Sequence, residues 1–119
     1  MPETPIAAVK ESADLVVLQV MTESLDEEHL QRLALEVRAA ADTNPGRPCV
    51  VDLARVSFVP SMSLAALIRL HTEFQGRRQR LILAGLQPQV RDVFVLTRLD
   101  RLFELQEDAA AAIRAIRPA

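Results

Sequence analysis

The chain has 119 residues, half of them hydrophobic, and a formal net charge of −2. That length suits one domain, the apolar fraction argues against disorder, and the lack of a basic excess argues against direct nucleic-acid binding. With no Trp or Tyr and only four Phe, the core must be aliphatic, and base stacking on aromatic faces finds no support.

Met1 to Lys10 holds no basic region followed by a long apolar stretch, so no secretory signal is read there. The longest apolar run falls far below the ~18–20 residues that span a bilayer. A soluble, cytoplasmic chain without membrane insertion is expected. Pro2 and Pro5 flank the apolar patch Ile6 to Val9, which suits a ragged edge strand. Leu15 to Met21 is rich in β-branched residues and too short for a buried helix, so a strand is predicted. Ser24-Leu25-Asp26-Glu27 fits a capping box, with Asp26, Glu27 and Glu28 suited to the positive end of a helix. Leu30, Leu33, Ala34, Val37 and Ala41 then recur at helical spacing until Asn44-Pro45-Gly46. His29 falls in the first turn, where water reaches it.

Cys49 to Ala54 is the second strand. Cys49 is the sole cysteine, so no intrachain disulfide and no cysteine-based metal site can form. It opens an apolar run and reads as a small core residue. Arg55 to Val59 leads to Pro60-Ser61 and a helix with Leu64, Leu67, Ile68, His71 and Phe74 or Gln75 along one side, closed by Gly76. Arg80 to Ala84 is the third strand, ended by Gly85, and Pro88 suits the first turn of a helix. That short helix carries Val90, Val93, Phe94 and Leu96 or Thr97. Leu102 to Leu105 makes a short final strand, and Glu107 to Ile116 an Ala-rich terminal helix stopped by Pro118.

The order β, α, β, α, β, α, β, α requires parallel neighbours joined by right-handed crossovers. The central runs carry few polar residues, so helices should cover both faces. A single α/β domain over residues 1–119 is expected. Its sheet should be mixed and mostly parallel, with four or five strands and four helices.

Chemistry is sparse. A hydrolase needs a nucleophile, a base and a positioning group, and the only trio is Ser61, His71 and Asp52. Ser61 and His71 are ten residues apart on one predicted helix, about 15 Å at ~1.5 Å per residue. A general base must lie within roughly 3 Å, so the trio fails on distance. His71 reads as a boundary histidine on the inner helix face. Gly46, Gly76 and Gly85 are isolated, which leaves no phosphate-cradling loop, and the two histidines lack metal-ligand spacing. No catalytic residue, cofactor or metal is expected.

Charge is uneven: residues 1–60 carry 5 basic and 10 acidic side chains, and residues 61–119 carry 9 and 6. Ordinary solvated faces account for this, or two oppositely charged faces that orient partners. Arg77-Arg78-Gln79-Arg80 follows a helix end, where cations complement the dipole; the second reading is contact with phosphate or an acidic partner. Ser61 stands between strand and helix. Its hydroxyl serves there as an N-cap worth ~1 kcal/mol, or as a phosphate acceptor, since the helix dipole tolerates added negative charge.

Three stretches together resemble a STAS domain of the anti-sigma factor antagonist family. They are Val50 to Ser61, Arg80 to Phe94, and Leu96-Thr97-Arg98-Leu99-Asp100-Arg101-Leu102-Phe103; Leu25-Asp26 matches the pair that opens the family's first helix. The resemblance covers roughly residues 13–116. It implies a STAS-like fold and a regulatory module that binds an anti-sigma factor, often one with serine kinase activity. Phosphorylation of the serine opening the second helix turns binding off, and by position that serine is Ser61. The implied binding surface comprises Ser61, Met62, Ser63 and Leu64. The sequence departs from the pattern in three places. Pro60 stands for the aspartate before the serine, Ser63 for a glycine, and Thr22-Glu23-Ser24 where the family has a glycine before its first helix. Pro60 removes a carboxylate and a backbone donor. A constitutively binding scaffold, or a subunit of a signalling or transport assembly, is therefore the alternative expectation.

Overall fold

The computed structural model describes residues 4–117. Its elements are β1 (Ala7–Glu11), β2 (Val16–Val20), α1 (Glu27–Thr43), β3 (Cys49–Asp52), α2 (Leu64–Gly76), β4 (Leu81–Ala84), α3 (Pro88–Leu96), β5 (Glu104–Gln106) and α4 (Ala109–Ile116). Single 3-10 turns at Ser61–Ser63 and Leu99–Arg101 precede α2 and β5. Pro2 and Pro118 lie outside the described residues.

The strands lie side by side in chain order. β1 runs antiparallel to β2, with Ala7 opposite Val20, and β2 to β5 are all parallel. The expected mixed, mostly parallel sheet with four helices is thus present, with five strands. Alternation along the central strands feeds two unequal cores. Cys49, Val51, Leu81 and Leu83 face the larger one, where α1, α2 and α3 bring Leu33, Val37, Leu70, Phe74 and Phe94. Val50, Ile82 and Ala84 face the smaller one, closed by Ala112 and Ile116 of α4. Each buried Leu, Val or Phe contributes roughly 1.5–3 kcal/mol, and the alanines of α4 let it lie close to the sheet. An ion pair from Arg38 Nε to Glu73 Oε2, 2.6 Å, ties α1 to α2.

Some local expectations are corrected. The capping box does not form. Asp26 caps α1, its carboxylate accepting from the His29 N–H at 2.9 Å. Ser24 is held instead in a parallel bridge with Phe58, so backbone pairing takes it out of the cap position. On α2 the inward positions are Leu64, Leu67, Leu70 and Phe74, and Ile68 points outward. The last strand starts at Glu104 because the turn at Leu99–Arg101 occupies the preceding segment. Phe103 is buried there, edge-on to the rings of Phe94 and His71.

Both α2 and α3 end on arginines in the left-handed region, Arg78 with φ +54° and Arg98 with φ +62°. After α2 the N–H groups of Arg78 and Gln79 donate to the carbonyls of Gln75 and Phe74, both at 3.0 Å. This helix-closing pattern usually carries glycine at the position Arg78 occupies.

Candidate partner-binding surface

Ser61 lies beyond the carboxyl ends of the parallel strands, where open α/β sheets form their binding crevices. The Leu53 N–H donates to the Ala84 carbonyl at 2.8 Å, carrying the β3–β4 pairing one residue further. Asp52 turns its Oδ1 onto the Ala54 N–H at 3.0 Å, which directs the chain out of the sheet. The return is fixed by buried Val56 and Val59 and by backbone bonds to the β2–α1 connection. The N–H groups of Ser57 and Phe58 donate to the Glu23 carbonyl at 2.8 and 3.3 Å, and Leu25 N–H donates to the Phe58 carbonyl at 2.9 Å. Two loops are thereby laced into one surface.

Pro60 enters the turn extended, with φ −66° and ψ 149°. Its carbonyl accepts the Ser63 N–H at 2.9 Å. Proline has no donor and no polar side chain, so the turn has no side-chain cap, and Ser61 does not supply one. The Ser61 side chain is exposed, and its hydroxyl makes no hydrogen bond among the described residues. Met62 is 76% exposed. Ser63 and Leu64 are different: both are buried, and the Ser63 Oγ has no partner. Of the four residues expected to touch a partner, only Ser61 and Met62 present side chains to solvent. Ser63 and Leu64 support them from beneath, because the 3-10 turn rolls the chain inward before α2 begins.

The sequence reading missed Phe58, 58% exposed in the bridge beside the turn, and Met21, exposed just after β2. Phe58 carries no signal beyond a large apolar side chain in a connection without periodicity, and Met21 reads as the last residue of a strand that ends at Val20. Exposed Glu23, Asp26, Glu27 and Glu28 flank the patch and make this end of the molecule acidic.

The catalytic trio considered from sequence is not assembled. Asp52 bonds the Ala54 N–H. His71, near the far end of α2, packs on Phe103 with ring centroids 5.1 Å apart. Its Nε2 is buried without a partner. Cys49 is fully buried, and desolvation pushes its thiol pKa up to about 11. Among the described residues no group of three or more His, Cys, Asp or Glu could hold a metal ion, and no helix is long and apolar enough to cross a membrane.

The family model for the STAS domain matches residues 7–112. The anti-sigma factor antagonist assigned as BtrV in Bordetella bronchiseptica is 31% identical over 88 residues, covering 71% of this chain and 76% of its own. An anti-sigma factor antagonist of Mycobacterium paratuberculosis superposes with a TM-score of 0.78 at 25% identity, over 93% of this chain and 92% of that one. SpoIIAA of Bacillus, an anti-sigma factor antagonist, superposes at 0.76 in its unphosphorylated form, with 19% identity over 95% and 97% of the two chains. Its phosphorylated form superposes at 0.68, again at 19% identity, over 93% of this chain and 99% of that one. The chain belongs to the STAS-domain family of anti-sigma factor antagonists.

Proposed function

We propose that this protein binds an anti-sigma factor through the surface around Ser61 and Met62, and that phosphorylation of Ser61 turns binding off. The observation that carries this reading is the Ser61 hydroxyl, exposed and unbonded at the entry to α2, with the bare side chains of Met62 and Phe58 beside it. Met62 and Phe58 supply apolar area for a partner to cover. An unmodified hydroxyl among them is desolvated cheaply, whereas a phosphate must shed its hydration or meet cations on the partner. SpoIIAA, of the same fold, exists in unphosphorylated and phosphorylated forms, which supports the switch.

One observation favours the constitutive scaffold as a second reading. Pro60 contributes neither carboxylate nor N–H beside Ser61, so a kinase has less to grip there. Incubation with the cognate anti-sigma kinase and ATP, followed by peptide mass spectrometry, separates the two readings. The switch requires one phosphate on Ser61 and loss of the complex on size exclusion. A stable complex with no phosphate on Ser61 supports the scaffold.

A further inference from the structure

We propose that the amino-terminal edge of the parallel sheet, at the opposite end from Ser61, is a second docking surface that takes an acidic amphipathic segment of a partner protein. This proposal does not rest on the Ser61 reading.

Each crossover helix runs against the strands, so the carboxyl ends of α2 and α3 meet the starts of β4 and β5 at one edge. The sequence loads that edge with arginine: Arg77, Arg78 and Arg80 around the start of β4, and Arg98 and Arg101 before β5. Arg77 is paired with Asp42 at 2.6 Å, and Arg80 with Glu104 through two bonds of 2.7 and 2.5 Å. The side chains of Arg78, Arg98 and Arg101 are exposed and make no hydrogen bond or ion pair among the described residues. Among the described residues Asp100 is the one carboxylate between Arg98 and Arg101, and it has no partner. The β4–β5 part of the edge therefore offers an anionic ligand three uncommitted cations against one uncommitted carboxylate, while unpartnered Glu11 stands opposite Val16 at the β1–β2 part.

The backbone adds an independent observation. Among the described residues Arg78 and Arg98 are the only non-glycine residues with positive φ. Each closes a helix at the position where glycine costs least. Backbone strain of this kind clusters at ligand-binding and switch regions. Here it places an arginine at the carboxyl end of each of two helices.

Apolar surface lies among these cations. Leu96 is 83% exposed, and Val95 and Leu102 are exposed as well. A groove of about 200 Å³ opens beside Leu102, its lining including His71, Phe74, Leu81 and the paired Arg80 and Glu104. The unpartnered Nε2 of His71 belongs to a residue of that lining. A ligand with carboxylates on one face and leucine-like side chains on the other matches both features. A nucleic acid matches only the charge, because no exposed aromatic ring stands among these residues for a base to stack on.

The test is a titration of the full ¹⁵N-labelled chain, followed by amide shifts. The probe is a helical peptide of about 14 residues, three to four turns, with Leu at i, i+3, i+4 and i+7 and Glu elsewhere. Expected are shifts centred on Arg78, Leu96, Arg98 and Leu102, with affinity falling as salt rises. The double variant Arg78→Gly/Arg98→Gly keeps the left-handed backbone and removes two cations, and it should bind at least tenfold more weakly. Ser61→Glu should bind the peptide as the parent does. The proposal fails if the peptide produces no shifts or shifts elsewhere, or if the double variant binds equally well. It fails equally if the peptide with the same leucines dispersed, or a single-stranded oligonucleotide, binds as tightly.

Discussion

A Cβ on Gly85 would lie 3.1 Å from the Asp52 Oδ1, the oxygen that accepts the Ala54 N–H. Two strand ends therefore meet at a point where a methyl group would crowd the Asp52 carboxylate and Ala54. Gly85 also has φ +75°, and its N–H donates to the Gln106 carbonyl at 3.2 Å. Gly85→Ala should cost on the order of 1–3 kcal/mol, through the strained backbone and a displaced Asp52. Urea unfolding measures this; an unchanged midpoint would show that the strand ends are not so tightly fitted.

Ser63 makes the opposite prediction. Its hydroxyl is buried and unpartnered, so it costs desolvation energy and returns no hydrogen bond. Ser63→Ala should stabilise the protein by roughly 1 kcal/mol and leave the exposed faces of Ser61 and Met62 as they are. A loss of stability would mean that the hydroxyl has a partner.

The strands were legible because their chemistry is local. Val50 and Ile82 sit in short apolar runs that no amphipathic helix can use, and both are fully buried. The helix phases followed the same logic, apart from Ile68, which the inward row of Leu67, Leu70 and Phe74 leaves on the outer side of α2. Ser24 looked like a cap because Glu27 follows at the right spacing, yet its pairing partner, Phe58, is 34 positions away. The same limit applies to the site. Ser61 could be found from its place between strand and helix. The inward roll of Ser63 and Leu64 is a property of the 3-10 turn, which has no sequence period of its own. The exposure of Phe58 depends on Val56 and Val59 pinning the loop on either side of it.

Cys49 reports on folding. Burial pushes its thiol up to about 11 from 9.0, so at pH 8 it should react with a thiol reagent only as fast as the chain opens. The neutral thiol is favoured in the folded state. Between about pH 9 and pH 11 the unfolded chain has lost a proton that the folded chain keeps, and stability falls as pH rises. The contribution lost across that window is on the order of 2–3 kcal/mol. Cys49→Ser should remove this alkaline limb. Rapid labelling of the wild type at pH 8 in the absence of denaturant would contradict the buried placement.

The central claim is that a partner covers Ser61. The most direct measurement is the affinity of wild type, Ser61→Ala and Ser61→Glu for the cognate anti-sigma factor by isothermal titration calorimetry, with thermal melts alongside. Ser61→Glu should bind at least tenfold more weakly, a loss of about 1.4 kcal/mol or more, because the partner must desolvate the carboxylate. Its melting temperature should stay close to wild type, since negative charge at the entry to α2 suits the helix dipole. Ser61→Ala should bind like wild type, because the Ser61 hydroxyl caps nothing. Equal affinities for all three proteins would contradict the account.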